Sequence, residues 1–205
     1  MKFSGVKCKK LAGSHSYRIL VIGGSAGSMT VLTKLISELP AIFPMPVVIV
    51  IHRLKNVQSE LGTLLSVRQK ITEPDDKELL LPGHIYLAPQ NYHLLIEADG
   101  TISLDYSELV NFSRPAIDMS FESAASAFGS AAVGILLSGA NKDGAAGLCH
   151  IAASGGAAIV QDPRTAGFST MPQAALDLCS GIQTMTVNDM IRYLRNISTK
   201  INTEK

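Results

Sequence analysis

Short runs of consecutive apolar residues alternate along this chain with stretches whose apolar positions recur every three or four residues. The runs at 17–22, 46–51, 131–137 and 157–161 are rich in aliphatic residues, which is typical of strands buried on both faces of a parallel sheet. Helices are predicted at 29–39, 58–67, 116–128, 145–153, 172–178 and 188–197, with a last strand at 182–187. This alternation predicts an α/β fold, a doubly wound, mostly parallel sheet in three Rossmann-like layers.

The middle of the chain departs from that alternation. Residues 81–89 form a short apolar run between prolines, and residues 92–97 and 101–106 flank an Asp-Gly turn that favours a β-hairpin. We expect an antiparallel insertion or edge element there, within one domain. The predicted organisation is a basic tail over 1–16, a single domain over 17–198 and a polar tail over 199–205.

Composition narrows the class of protein. The 205 residues are 46% hydrophobic and 17% charged, enough for one large core, and the net charge of +1 gives no reason to expect a nucleic-acid partner. No apolar run approaches the length of about 20 residues that spans a bilayer, and no secretory signal precedes the first strand. We therefore expect a cytoplasmic protein without membrane insertion.

The chain has three cysteines, Cys8, Cys149 and Cys179. Their odd number and wide spacing argue against a disulfide framework or a zinc site. We expect Cys149 and Cys179 to be buried as small apolar side chains.

Three polar residues follow three of the predicted strands: Ser25, His52 and Asp143. Because ligands bind beyond the carboxyl ends of the strands in open parallel sheets, these residues can meet in space. They are the types that a hydroxyl nucleophile needs, since an imidazole takes the serine proton and a carboxylate orients the imidazole.

The segment around Ser25 has the form Gly-x-Ser-x-Gly between a strand and a helix, as in a nucleophile elbow. The amide of Ala26 is a natural donor to an oxyanion, and the loop at Gly139 and Ala140 offers another. A glycine-rich turn of this kind is also a common phosphate cradle. Taken singly, His52 fits a structural role or a substrate contact, and Asp143 fits a helix cap.

Nucleotide and metal sites are less well supported. The turn lacks the G-x-G-x-x-G spacing, the second strand ends in histidine rather than an acidic residue, and no Walker A sequence is present. The histidines show no metal-ligand spacing with cysteine or carboxylate residues, so no metal and no cofactor are expected.

The chain resembles the catalytic domain of the chemotaxis receptor methylesterase family, CheB, from about Arg18 to the last helix. The blocks that carry the resemblance are the nucleophile turn at 22–28, the histidine strand at 50–52, the blocks at 81–89 and 114–118, the aspartate loop at 138–147, and the late loop at 161–163 and 168–172.

The resemblance implies hydrolysis of γ-glutamyl methyl esters on chemoreceptor cytoplasmic helices, and glutamine deamidation in many members. It implies that Ser25 is the nucleophile, His52 the general base and Asp143 its orienting carboxylate. The backbone of Ala26 and Ala140 would face the oxyanion. Loop residues that would face the substrate are Arg53, Phe168 and Met171.

Some positions depart from the family pattern, notably Ala26 in place of threonine, Ser28 in place of glycine and Ala140 in place of methionine. They motivate two alternative hypotheses, a catalytically weak module that docks a receptor or kinase, and an esterase for another γ-glutamyl substrate. The family's receiver domain has no counterpart in the short segment before the first strand. We therefore expect activity that is constitutive or gated by a separate regulatory protein.

Overall fold

The computed structural model describes residues 17–53 and 70–203, and a parallel sheet is their central element. Its seven strands are β1 (Ile19–Gly24), β2 (Val47–Ile51), β3 (Ile71–Thr72), β4 (Ile85–Leu87), β7 (Ala132–Leu136), β8 (Ala157–Gln161) and β9 (Gln183–Met185). They lie in the order β3-β4-β2-β1-β7-β8-β9, and every neighbouring pair is parallel. This arrangement confirms the predicted fold class.

Alternate residues of each central strand pack on opposite faces of the sheet. Leu20 and Ile22 of β1 face one core cluster, whereas Ile19 and Val21 face the other, and all four are fully buried. Burying each such aliphatic side chain contributes about 1.5–3 kcal/mol. Continuous apolar runs therefore form these strands because both faces of the sheet are covered.

Helices cover the two faces and complete three layers. The helices of the described residues are α1 (Met29–Ser37), α2 (Ile117–Phe128), α3 (Ala145–Ala153), α4 (Thr170–Leu178) and α5 (Val187–Thr203). Apolar residues of α1 and α5 pack on one face, and those of α2, α3 and α4 pack on the other. None of these helices is both long and apolar enough to cross a bilayer.

The predicted hairpin is confirmed as β5 (His93–Ile96) paired antiparallel with β6 (Ile102–Asp105) in a separate two-stranded sheet. The expectation of an antiparallel insertion or edge element does not hold for β4 within residues 81–89, since β4 pairs parallel with both β2 and β3 inside the main sheet. All three residues of β4 are buried, the pattern of a covered parallel strand. The two-residue strand β3 was not predicted, because it is too short to show a period.

The ends of several elements also differ from prediction. Helix α5 continues to Thr203 instead of ending at residue 197, because Ile201 extends its apolar face and is buried. The predicted domain boundary at 198 therefore falls inside a helix. Helix α4 begins at Thr170, two residues before the predicted start. The predicted helix at 58–67 lies outside the described residues.

The expectation for the cysteines is corrected by a disulfide bond between Cys149 of α3 and Cys179, the residue after α4. Neither residue is fully buried. Spacing along the chain could not reveal the pair, because it depends on how two helices that share one face of the sheet pack together.

The strand order places the chain's change of direction beside β1. From β1 the chain moves to β2, then to the edge strand β3 and back to β4 between them, all on one side of β1, before it crosses to β7 on the other side. Such a switch point leaves a crevice at the carboxyl ends of the adjacent strands β2, β1 and β7. The three polar residues singled out in the sequence lie at these strand ends.

Candidate active site

Ser25 follows β1 on a turn that is held from both sides. Its amide donates to Ser138 O (2.9 Å), and its carbonyl accepts from the amide (3.1 Å) and the hydroxyl (2.6 Å) of Ser28. Gly27 has φ +77°, a conformation that side chains disfavour, and a Cβ there would lie 2.8 Å from Ser138 Oγ. The turn therefore needs a glycine at position 27, while Ser28 reinforces it.

His52 lies one residue beyond β2 and bridges the other two members of the group. Its amide donates to Gly24 O (3.3 Å), which continues the pairing of β1 and β2 up to the site. Its Nδ1 lies 3.1 Å from Ser25 Oγ, and its Nε2 lies 2.7 Å from Asp143 Oδ2. In the neutral ring, Nε2–H donates to the carboxylate, and Nδ1 is the acceptor that faces the serine.

Asp143 is fully buried and sits at the N-terminus of α2. Its Oδ2 accepts from the Ile117 amide (2.7 Å) as well as from His52, and its Oδ1 accepts from the Asp118 amide (3.2 Å). Gly144, with φ +88°, allows this approach, because a Cβ there would lie 2.7 Å from Ile117 Cγ2. The dipole of α2 and the amides of its first turn, which have no acceptor within the helix, thus favour a negative charge on this carboxylate.

Opposing effects set the pKa of Asp143. Burial alone would raise the pKa, but the hydrogen bond and charge of His52, the Ile117 amide and the side chain of Asn111 outweigh it and hold the pKa below the usual value. Asp143 is consequently ionised at neutral pH. An ionised partner fixes the tautomer of His52 and stabilises the imidazolium that forms when Ser25 loses its proton.

Two residues that sequence reasoning missed hold the surrounding loops together. The buried Ser138 hydroxyl donates to Ala26 O (2.7 Å) and accepts from the Phe168 amide (2.9 Å). The Ser138 amide donates to Gln161 Oε1 (3.1 Å) at the end of β8. A serine and a glutamine at strand ends show no spacing that would have marked them.

Candidate oxyanion donors lie on either side of Ser25. The amide of Ser25 is already bonded to Ser138 O, so it is not available. The amides of Ala26 and Ala140 make no hydrogen bond to another residue within 17–53 and 70–203, and both alanines are exposed. These two amides are thus free to receive an oxyanion.

The proposed substrate-loop residues occupy different environments. Phe168 is half exposed and lies beside Gly27 at the rim of the site. Met171 is fully buried against Gly139. The Arg53 side chain is 7% exposed and forms an ion pair with Glu73 (2.5 Å). Of the three, Phe168 has the surface that a substrate could contact.

A second pair of residues absent from the sequence-based candidates lies behind Asp143. Asn111 Nδ2 is within hydrogen-bond distance of Asp143 Oδ1 (3.1 Å) and of Asp118 Oδ2 (2.8 Å). The backbone of Asn111 is left-handed (φ +50°), a conformation in which asparagine is enriched. This conformation cannot be read from the sequence, so nothing in the sequence marked Asn111 as a site residue. Across the described ranges no cluster of His, Cys, Asp and Glu side chains is arranged to hold a metal ion.

The whole arrangement is suited to acyl transfer. A hydroxyl, an imidazole and a buried carboxylate form one hydrogen-bonded chain, and two free amides flank the hydroxyl. This chemistry requires no cofactor. A phosphate cradle would not need an imidazole bonded to the hydroxyl and a buried carboxylate behind it.

Comparisons with known proteins match the chain to one family and one fold. A family model described as CheB methylesterase matches residues 20–194. The crystal structure of the Thermotoga maritima CheB methylesterase catalytic domain superposes with a TM-score of 0.83 at 30% sequence identity. That match covers 89% of this chain and 99% of the Thermotoga domain.

Relatives in sequence carry names for one pair of activities. The protein-glutamate methylesterase/protein-glutamine glutaminase 1 of Carboxydothermus hydrogenoformans is 35% identical over 175 residues, which cover 82% of this chain and 52% of that protein. A Leptospira interrogans protein (strain Fiocruz L1-130) named for the same activities is 43% identical over 167 residues. Its match covers 80% of this chain and 86% of the relative. The chain thus spans most of one relative and about half of the other.

Proposed function

The chain belongs to the CheB methylesterase family, and we propose that it hydrolyses γ-glutamyl methyl esters on chemoreceptor helices through Ser25, His52 and Asp143. One observation carries the proposal. The hydroxyl, imidazole and carboxylate form a continuous hydrogen-bonded chain, 3.1 Å and 2.7 Å long at its two links, in a fold that matches a CheB catalytic domain.

In the acylation step, His52 Nδ1 takes the proton of Ser25 Oγ while that oxygen attacks the ester carbonyl. The carbonyl oxygen becomes an oxyanion and is held by the amides of Ala26 and Ala140. The imidazolium is stabilised by the ionised Asp143 through Nε2–H. The proton then passes from Nδ1 to the departing methoxide oxygen, so that methanol leaves and a γ-glutamyl ester of Ser25 remains.

Deacylation repeats these steps with water. His52 removes a proton from water, hydroxide adds to the acyl carbonyl, and collapse of the intermediate returns the proton to Ser25 Oγ and releases the glutamate carboxylate. A glutamine side chain would follow the same path with ammonia as the leaving group. This second activity corresponds to the other half of the relatives' names.

The surroundings of Ser25 favour a macromolecular substrate. Among the described residues around Ser25, Ala26, Gly27 and Ala140 are exposed and Phe168 is half exposed, and these residues leave the serine open on their side. A γ-glutamyl ester that projects from a helix can reach such a site. The partner we propose is therefore a methylated chemoreceptor helix in the cytoplasm.

The test is release of methanol from a methyl-labelled chemoreceptor cytoplasmic fragment, with Ser25→Ala in parallel. Ser126→Ala is the matched control, because its exposed hydroxyl bonds only Glu122 O within its own helix and lies outside the site. We expect release by the wild type and by Ser126→Ala, and none by Ser25→Ala. Equal release by wild type and Ser25→Ala would refute the nucleophile. Binding without release in the wild type would favour a docking module, and release from small esters alone would favour a different substrate.

A further inference from the structure

The side chain of Asn111 is the link between the catalytic carboxylate and a second buried carboxylate. Its Nδ2 lies 3.1 Å from Asp143 Oδ1 and 2.8 Å from Asp118 Oδ2. An amide NH₂ has two hydrogens, so it can donate to both carboxylates at once. Without a donor between them, two buried carboxylates this close would repel each other.

The side chain of Asp118 also has an anchor outside the triad. Its Oδ1 accepts from the Gly147 amide in α3 (2.8 Å), which ties the start of α2 to α3. Burial raises the pKa of Asp118, and the neighbouring Asp143 charge adds to the effect. Asp118 therefore gives the amide of Asn111 a rigid second anchor.

The loop that carries Asn111 is itself held in one conformation. The His93 ring donates to Glu108 O (2.9 Å), and Arg114 donates to Tyr106 O (3.0 Å). Val110 and Ser113 exchange backbone hydrogen bonds across Asn111 and Phe112. The amide of Asn111 is thus positioned by its loop before any substrate arrives.

Resting on the function proposed above, we propose that Asn111 is a positioning residue for the reaction. Its amide holds Asp143 Oδ1, so that Oδ2 stays aligned with His52 Nε2. The amides of Ile117 and Asp118 constrain the same carboxylate, but both come from one helix end. Asn111 supplies the restraint from outside that helix. It acts through Asp143 and touches neither the serine nor the substrate.

A pair of glycine variants separates the amide from the loop. Asn111→Gly removes the amide and tolerates the positive φ, while Phe112→Gly makes the same backbone change at the next residue (φ +62°), whose side chain is 98% exposed. With N-acetyl-glutamate γ-methyl ester as substrate, we expect Asn111→Gly to lower kcat about 10–100-fold with KM nearly unchanged, the fold-change that corresponds to one lost hydrogen bond to a charged group. We expect Phe112→Gly to retain wild-type values. Equal kcat in the two variants would overturn the proposal.

Asp118→Asn tests whether the bridge works as a unit. Its carbonyl would keep the Gly147 contact, so its NH₂ would face the NH₂ of Asn111, and two donors would oppose each other. We expect Asp118→Asn to lower kcat and the double variant with Asn111→Gly to be no worse than the poorer single variant. Multiplicative losses in the double variant would mean that Asp118 does not act through Asn111.

A proton NMR measurement decides the matter without any substrate. The His52 Nε2–H proton shared with Asp143 is expected to resonate at low field in the wild type and in Phe112→Gly, and to broaden or disappear in Asn111→Gly. If Asn111→Gly does not fold, Asn111→Asp keeps the shape and replaces the donor with a third carboxylate, and the same loss is expected. An unchanged resonance in the folded variant would overturn the positioning role. If the wild type hydrolyses no ester, the proposed function fails while this resonance still tests Asn111.

Discussion

Replacing Asp143 by asparagine disturbs every hydrogen bond that its side chain makes. Oδ2 accepts from His52 Nε2 and the Ile117 amide, and Oδ1 accepts from Asn111 Nδ2 and the Asp118 amide. All four partners are donors. An asparagine offers one acceptor oxygen and one donor NH₂, so in either orientation its NH₂ must face two donors.

The size of the effect follows from this count. If the oxygen stays toward His52, the bonds from Asn111 and from the Asp118 amide are lost. Hydrogen bonds to a charged group contribute about 1.5–3 kcal/mol each, so the free energy of unfolding should fall by roughly 3–6 kcal/mol. If the oxygen turns the other way, His52 must move its proton to Nδ1 and can no longer accept from Ser25. A wrong tautomer of this kind lowers kcat by about 10⁴-fold.

The assay pairs urea unfolding with ester hydrolysis. We expect Asp143→Asn to lose both stability and activity, whereas Asp189→Asn, the same change at an exposed helix end bonded to Thr186, should keep wild-type kcat. The reasoning would be refuted by an Asp143→Asn protein with near-wild-type kcat and an unchanged unfolding midpoint. That result would mean that the carboxylate is neither charged nor fully bonded.

Three further predictions concern the surrounding structure. Gly139→Ala places a Cβ 2.4 Å from Met171 Cε, so it should lower the free energy of unfolding by about 1–3 kcal/mol and lower kcat by shifting the 138–140 loop. Adding Met171→Ala should recover part of both losses, and a normal kcat in Gly139→Ala would contradict this prediction. Because the pKa of Asp143 is depressed, its ionised form stabilises the fold above about pH 4, and this contribution disappears as the pH falls through the lowered pKa. The difference in free energy of unfolding between wild type and Asp143→Ala, measured with urea, should therefore narrow on acidification, and a constant difference would contradict this prediction. Alkylation of the unfolded chain should modify one thiol before reduction and three afterwards, and three in both cases would exclude the Cys149–Cys179 bond.

The layered fold could be predicted because it depends on local hydrophobic patterns. Ala145–Ala153 and Ala157–Gln161 have the predicted bounds, and the hairpin follows from its Asp-Gly turn. The parallel pairing of β4 could not be predicted, because a three-residue run does not specify which strand it joins. The disulfide was missed for a similar reason, since it records the packing of two helices rather than a spacing.

The meeting of Ser25, His52 and Asp143 was predictable because each follows an apolar strand and parallel strands end at one edge of the sheet. Ser138 and Asn111 were not found from the sequence. Their importance comes from contacts with backbone and side chains that lie 30 or more residues away, as in the bonds from the Phe168 amide to Ser138 and from Asn111 to Asp143. No local pattern encodes such partners.

The central claim, that His52 and Asp143 activate Ser25 as a nucleophile, is tested most directly by covalent labelling. The folded protein would be treated with a fluorophosphonate and mapped by peptide mass spectrometry. We expect a single phosphonate adduct on Ser25, absent in Ser25→Ala and much slower to form in His52→Ala. An adduct on another serine, or an equal rate of labelling in the His52→Ala protein, would contradict it.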